Sequence, residues 1–535
     1  MQIYEGKELE VYKKEQLQIN PEWGRRDFTK LAQSYLESKV EKVLAISGLR
    51  GTGKTVGLLQ ASEELDIAYI LAEENDGKTG QDYIDYLKNT DKKYIVLDEY
   101  GWIGERDQLD RYLITSVQNG KRIVITGTES IVLDYLNYGA LIHRVQVIHT
   151  TMFPYDEYRR VYNLEHSRQV CDNYLIEGGL FKEYVLKDYA SMKEYIETAI
   201  VSNLANYLKK EMNEETARTL TYAVLFKAVC PSNLSTVPVL RESNVMLENF
   251  LYTMGINTDI KVEERYLNRV ADIFEQTGII VRIPNYDTNS SLREQYYIVN
   301  PSLTSQLIKA TYGLPILDDA TMGHIFEACA MVQISTNKIA EHEVYFLNNE
   351  GQSNTATKEL DIVVTDINKE HIYLLECKHS QSHKIKANST LVSGYLEEHY
   401  FQEADIDGRY VIYNGKPCVK EYDVGDVVFT PLNDTINNYF AFGEHIKRFE
   451  RITMRQNYDF EVRKYGFKLT KNIRSQYEII NKLQNRFVPL REIADMYKNR
   501  SSLPDEIREP VTAMGDELKE QQIMRQKEAQ TFLPE

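Results

Sequence analysis

Short unbroken apolar runs alternate with amphipathic stretches through the first 150 residues. Lys42–Ser47 (KVLAIS), Tyr94–Leu97 (YIVL) and Arg122–Ile125 (RIVI) carry no polar alternation, the pattern of strands covered on both faces. Val56–Glu64 is good helix material directly after the first run. Strands alternating with helices predict a doubly wound parallel sheet with helices on both faces. Further on, residues 180–215 read as helix, with Ala199, Val201, Leu204 and Leu208 at three-to-four spacing. Arg265–Gln276 is strongly amphipathic, and Gly278–Ile283 and Gln295–Val299 read as two strands around a polar turn. Helices followed by a hairpin suit a winged-helix unit. Glu263, Glu264, Asp272 and Glu275 make its candidate recognition helix acidic, so a structural or protein-contacting role is expected. In the second half, Glu359–Val364 and Leu374–Lys378 are short strands. Residues 384–404 read as a helix, and Tyr410–Tyr413 and Val427–Thr430 as strands completing a small mixed sheet. Beyond residue 440 the pattern turns helical, and Asp516–Gln530 is a charged helix or tail.

At 535 residues the chain exceeds what one core supports, so several domains are expected. The N-terminus has no apolar leader, and no apolar run reaches membrane-spanning length, so a cytoplasmic chain with no membrane partner is expected. Five scattered cysteines, Cys171, Cys230, Cys329, Cys377 and Cys418, form no CxxC pair and suit a reducing compartment. A net charge of −17 argues against a non-specific nucleic-acid coat. Between Phe442 and Arg500, however, basic residues outnumber acidic ones about two to one, among them Lys447, Arg448, Arg451, Arg455, Arg463 and Lys464. A solvated helix face is the simpler account of that stretch.

The first apolar run leads straight into Gly48-Leu49-Arg50-Gly51-Thr52-Gly53-Lys54-Thr55, a full match to G-x-x-x-x-G-K-[ST] in strand–loop–helix context. In such a loop the backbone N–H groups of Gly48, Arg50, Gly51, Thr52 and Gly53 converge on phosphate oxygens at a helix N-terminus. Lys54 reaches the β- and γ-phosphates, and the Thr55 hydroxyl ligates Mg2+. The second run ends in Asp98-Glu99, a metal-holding carboxylate followed by a general base for the attacking water. The third ends in Thr126-Gly127-Thr128, whose first hydroxyl is positioned to sense the γ-phosphate. Arg144, in Leu141-Ile142-His143-Arg144, is a candidate for offsetting transition-state charge, in its own subunit or a neighbour's. ATP and Mg2+ are the cofactors this set predicts.

A second constellation lies at Asp361 and Glu376-Cys377-Lys378. Glu376 and Lys378, one residue apart on a strand, emerge on one face, where Asp361 of a neighbouring strand can meet them. Two carboxylates and a lysine suit metal-assisted phosphodiester hydrolysis: Asp361 and Glu376 hold Mg2+, and Lys378 orients or deprotonates water. Glu327, on an upstream helix, is a candidate further metal ligand. Glu359 reads as solvent-facing, and His379 and His383 as surface residues.

Taken together, GLRGTGKT, YIVLDEY, VITGTES, LIHR, MFPYDEY (Met152–Tyr158) and YLIEGG (Tyr174–Gly179) resemble the prokaryotic AAA-type P-loop ATPases fused to a C-terminal PD-(D/E)XK nuclease-like domain of unknown function. The resemblance runs from about residue 20 to 435, loosely in the middle. It departs at Leu49, where the family usually has proline, and at Thr128, where serine is common. It implies an AAA+ core over 1–165, a helical connector over 166–215 and a winged-helix-like domain over 216–312. A PD-(D/E)XK-like mixed α/β domain over 313–435 and a helical extension and tail over 436–535 follow. The expectation is thus an ATP-hydrolysing AAA+ ATPase controlling a Mg2+-dependent nuclease, in defence against foreign nucleic acid, with DNA or RNA at the C-terminal domain and homo-oligomeric assembly. The alternative is a nucleotide-driven switch whose nuclease-like domain binds a partner without cutting.

Overall fold

Among the described residues, six strands and five helices build the first module of this computed structural model. The structure describes the chain except residues 18–23, 64, 74–75, 128–138, 152, 182–184, 187, 210, 230–244, 257–263, 291, 313–316, 338–341, 350–357, 383, 403, 416–417, 433–461, 463–466, 469, 485–487, 489 and 532–535. Strands β1 (Gln2–Tyr4), β2 (Val43–Ser47), β3 (Ile67–Leu71), β4 (Tyr94–Asp98), β5 (Arg122–Gly127) and β6 (Val145–His149) form one sheet in the order β1-β3-β4-β5-β2-β6. All neighbours are parallel except β1, which pairs antiparallel on the edge of β3. Successive residues of the inner strands enter different cores. Ala45, Ile70, Leu97 and Ile125 face the helices Gly80–Asn89 and Asp107–Gln118. Leu44, Ile46, Tyr69, Val96 and Val124 face Gly6–Leu17, Phe28–Glu37 and Lys54–Ala61. Burial on both faces explains why these strands carry no polar alternation. The parallel arrangement also brings the carboxyl ends of β2, β4 and β5 together, at the edge where ligands of open α/β sheets sit.

The middle of the chain departs from a string of separate domains. The helix Met192–Leu208 contains a π-helical turn over Ile196–Ser202. The helices Glu214–Val229, Val245–Thr253 and Glu264–Gln276 lead into a hairpin of β7 (Ile280–Pro284) and β8 (Glu294–Ile298), the helices-then-hairpin order expected of a winged helix. One apolar core runs through the connector, this unit and one face of the second sheet, from Leu49 to Leu432. The hairpin tip is docked rather than free. Asn285 donates to the carbonyl of Asn348 at 2.7 Å and accepts from its N–H, while Tyr286 N–H meets the carbonyl of Phe346. Arg282 of the hairpin is held by Asp272 and Glu275 of the acidic helix.

The second sheet has the order β13-β14-β12-β11-β10-β9, from β9 (His342–Asn348), β10 (Glu359–Asp366), β11 (His371–Lys378), β12 (Asp405–Tyr413), β13 (Cys418–Tyr422) and β14 (Gly425–Pro431). A helix, Asp319–Asn337, precedes an antiparallel β9-β10-β11 meander; short helices follow, and β12 returns parallel to β11. The single helix expected over 384–404 is instead two short ones, Ser389–Val392 and Tyr395–His399. They are separated at Gly394, whose φ of 74° no helix interior accommodates. The strands expected at 410–413 and 427–430 are present, joined by β13, which the pattern did not suggest.

The C-terminal helices Lys471–Gln484, Leu490–Lys498 and Asp505–Thr531 pack around Tyr477, Ile480, Ile493 and Val511, a core of their own. Lys447, Arg448, Arg451, Arg455, Arg463 and Lys464 lie outside the described residues, as do Cys230, His383 and Thr128. Among the described residues, no helix is long and apolar enough to cross a membrane, and Cys171, Cys329, Cys377 and Cys418 are free thiols.

Candidate nucleotide and carboxylate sites

The loop between β2 and the helix Lys54–Ala61 turns through Gly51 (φ 83°) and Gly53 (φ 82°), backbone conformations that side chains disfavour. A Cβ on Gly53 would also lie 2.9 Å from the ring of Phe181. Lys54 is buried, its Nζ donating to the carbonyls of Gly48 at 2.8 Å and Leu49 at 3.1 Å, so it lies folded along the loop it serves. The Thr52 hydroxyl is spent within the loop, on Leu49 O and Thr150 Oγ1, both at 2.9 Å. Arg50 is exposed and pairs with Asp188 at 2.8 Å.

Asp98 ends β4 fully buried, with its carboxylate saturated by protein donors. Oδ1 accepts from Thr126 Oγ1 at 2.7 Å and from Glu99 N–H at 3.0 Å; Oδ2 accepts from Thr55 Oγ1 at 2.8 Å and from the Tyr69 hydroxyl. The expected grouping of Thr55, Asp98 and Thr126 is therefore met in space. Glu99 adopts a left-handed conformation, φ 54°, which turns it off the strand toward the loop. Burial and then the charge of Asp98 push its carboxyl up, opposed by Lys54 and Arg50. A raised carboxyl beside the phosphate loop suits a general base. A cavity of about 570 Å3 runs along this edge, lined by Lys54, Thr55, Asp98 and Glu99 at one part and by Tyr12 and Trp102 at another.

Arg144 is placed differently from a residue serving its own chain's nucleotide. It immediately precedes β6, its carbonyl accepting from Val43 N–H at the start of β2, and it is exposed. It thus stands at the amino end of the sheet, a strand length from the P-loop. Instead the buried arginine of the phosphate loop is Arg26, which the motif reading missed. It donates to Thr52 O at 2.6 Å and to Glu157 at 2.7 Å, and stacks 4.2 Å over the Phe153 ring. Glu157 also accepts from Asp27 N–H at 2.6 Å. The MFPYDEY phrase thereby acquires a structural reason: its Phe and Glu clamp the arginine that holds the loop. No signal in the sequence singled out Arg26.

The second site forms between β10, β11 and the helix Asp319–Asn337. Asp361 lies across from Glu376 in the antiparallel register set by Ile362 and Leu375, and its Oδ2 accepts from Cys377 N–H at 2.6 Å. Glu376 is buried, paired with Lys378 and accepting from Asn388 N–H at 2.7 Å. Burial raises the Asp361 carboxyl to about 7, with Glu376 and Glu359 adding to it and Cys377 N–H and Lys378 opposing. Burial and the charges of Asp361 and Glu359 push Glu327 well up. Glu359 itself is exposed, as expected. The four sequence-assigned groups thus share one electrostatic neighbourhood. Among the described residues, however, no three or more His, Cys, Asp or Glu side chains are clustered closely enough to hold a metal as they stand.

His379 is a correction. Its side chain is 4% exposed, with Nε2 2.7 Å from Asp172 Oδ1. It is no surface residue, because Asp172 of the helix Arg168–Glu177 meets it just past the end of β11. The same helix carries Cys171, against Asn414 at the end of β12.

Residues 40–159 match the AAA domain family, so this part of the chain is an AAA-type P-loop ATPase domain. Among solved structures the chain is similar to the Walker-type ATPase of Pyrococcus abyssi, at 14% identity over 52% of this chain and 95% of that one, TM-score 0.29. It is also similar to the RuvB Holliday junction branch migration motor of Thermotoga maritima, at 13% over 49% and 90%, TM-score 0.25. A third is the Orc1 protein of Aeropyrum pernix in complex with DNA, at 12% over 54% and 91%, TM-score 0.20. No curated protein matches the chain.

Proposed function

We propose that the chain is an AAA+ ATPase that binds and hydrolyses ATP and thereby controls a Mg2+-dependent nuclease site of PD-(D/E)XK type in its second module. The observation that carries this reading is one bridging segment. The helix Arg168–Glu177 ties Asp172 to His379, the residue after Lys378. A few residues on, Phe181 N–H donates to the carbonyl of Gly51 in the phosphate loop at 2.8 Å, and Tyr195 OH donates to Arg50 O at 2.9 Å. A rearrangement of this loop around phosphates would therefore reach the helix whose Asp172 meets His379.

In the first site Lys54 holds the β- and γ-phosphates, Thr55 and Asp98 supply the hard oxygen donors a divalent cation prefers, and Glu99 takes the proton of the attacking water. Mg2+ bound there neutralises phosphate charge and polarises the reacting phosphoryl group. In the second site the donor chemistry fits a cation too. Burial and then neighbouring carboxylates raise both acids, Asp361 acting on Glu327 and Glu376 on Asp361, a repulsion that bound Mg2+ would relieve. Lys378 orients the water, and nucleic acid is the substrate. The helix, three-strand meander, helix and parallel strand of this module support the nuclease-like assignment. Arg144, far from its own loop and exposed, suits a neighbouring subunit's nucleotide within a homo-oligomer.

The non-cleaving switch is favoured by one observation: Glu376 is spent on Lys378 and Asn388, and no ready-made metal cluster exists among the described residues. Mg2+-dependent cleavage of DNA and RNA by wild type, Lys54→Ala and Asp361→Ala, with and without ATP, separates the two. Loss in Asp361→Ala, with Lys54→Ala altering the response to ATP, supports the nuclease under ATPase control. No cleavage by any of the three, with ATP still turned over by wild type, leaves the switch.

A further inference from the structure

Three of the four donors to Asp98 come from groups the motifs already assign: Thr55, Thr126 and the N–H of Glu99. The fourth does not. Tyr69 of β3 is fully buried, and its hydroxyl donates to Asp98 Oδ2, the oxygen that Thr55 also uses. The pairing explains the reach. Tyr69 lies opposite Val96 in the parallel β3–β4 register, so it shares a sheet face with Asp98 two residues further along.

Packing alone does not call for a phenol there. Neighbouring positions of the same core are filled by Leu44, Ile46, Val96 and Val124, and a buried phenol must find a partner for its hydroxyl. The ring is also held from behind. Tyr12 lies 5.5 Å from it and Tyr4 6.4 Å, and Tyr4 and Tyr12 stack at 4.2 Å with 13° between their planes. Tyr4 is brought opposite Tyr69 by the antiparallel β1, and Tyr12 by the helix Gly6–Leu17, where it also lines the nucleotide cavity.

We propose that Tyr69 is a positioning residue for the nucleotide-bound metal, and that the N-terminal strand and helix exist in part to fix its ring. A carboxylate accepts at about four lone-pair directions. When the Thr55 hydroxyl turns to the cation, Tyr69 is the donor that keeps Oδ2 aimed. This inference rests on the first site binding a metal–nucleotide complex.

The test uses the full-length chain as wild type, Tyr69→Phe, which keeps the ring, and Tyr12→Leu, which removes its backing. A fluorescent ATP analogue is titrated in Mg2+ and in EDTA, Mg2+ is titrated in the turnover assay, and melting is recorded. In Tyr69→Phe the metal-free affinity is expected to stay at wild type. The gain in affinity on adding Mg2+ is expected to shrink about tenfold, with half-saturating Mg2+ for turnover rising by a similar factor. Tyr12→Leu is expected to move the same way by less. Wild-type Mg2+ dependence in both variants, whatever their melting temperatures, overturns the inference and leaves Tyr69 a packing residue. A wild type that binds no nucleotide at all overturns the parent reading, and this one with it.

Discussion

Removing the Glu157 carboxylate exposes how much of the phosphate loop depends on one buried ion pair. Arg26 and Glu157 have side chains 6% and 2% exposed and meet at 2.7 Å, and the same carboxylate accepts from Asp27 N–H at 2.6 Å. Glu157→Ala therefore leaves a buried guanidinium without its counter-ion and the Asp27 N–H without this acceptor. Breaking one partner of a buried pair costs about 3 kcal/mol or more, which is ~6–12 °C in the melting midpoint of a domain of 150–250 residues. Because Arg26 also donates to Thr52 O at 2.6 Å, the loop should lose its clamp and nucleotide affinity should fall as well. Replacing both partners by apolar residues, Arg26→Met with Glu157→Leu, is expected to recover most of the stability, since no charge is left buried. It should not recover nucleotide affinity, since the Thr52 tether is still gone. Differential scanning fluorimetry with and without ATP measures both. A Glu157→Ala midpoint within 2 °C of wild type, or a double variant less stable than the single, would refute the reasoning.

Glu99→Gln should keep ATP affinity within about threefold of wild type while lowering turnover by 10²-fold or more, as expected for loss of a general base; unchanged turnover in a coupled phosphate-release assay would remove Glu99 from the chemistry. The Asp361 carboxyl, raised by burial to about 7, makes the folded protein bind a proton that the unfolded chain releases near pH 4. Its contribution to stability is therefore fully present below about pH 4 and lost as pH rises through about 7. Binding of a divalent cation, which needs the ionised form, should strengthen over the same rise; isothermal titration with Mg2+ or Mn2+ between pH 5.5 and 8.5 reads this, and Asp361→Asn should weaken both the binding and its pH dependence. Asp172→Asn, which removes the charge facing His379 without touching either site, should leave ATP turnover intact and blunt the effect of ATP on cleavage; an ATP response equal to that of wild type would break the proposed bridge.

The P-loop was legible because its chemistry is local. Gly48–Thr55 lie within one turn of chain, and their glycines, lysine and threonine are required whatever packs around them. The doubly wound sheet was legible for a related reason: strands covered on both faces must be apolar throughout, and KVLAIS, YIVL and RIVI are. Asp98, Glu99 and Thr126 could be assigned because each ends such a strand, and parallel strands deliver their ends to one edge. The carboxylate pair of the second site was half legible. Alternation put Glu376 and Lys378 on one face, while the register opposing Asp361 to Glu376 depends on a β10–β11 pairing that no residue type announces.

What only the tertiary structure decided are contacts between residues far apart in sequence. Arg26 and Glu157 are 131 residues apart, and His379 and Asp172 are 207 apart. A charged residue looks the same in sequence whether it is solvated or clamped, so Arg26 passed unnoticed and His379 read as surface. Nothing in the sequence singled out Tyr69; only the pairing of β3 with β4 sets its hydroxyl against Asp98. Arg144 shows the converse: its charge made it a candidate in the sequence, but the direction of β6 put it at the opposite end of the sheet from the loop. Sequence determined which groups can perform chemistry, because residue type and local spacing carry that. Strand order, direction and register determined which of them meet, because burial and hydrogen-bond satisfaction are settled only when distant segments pack together.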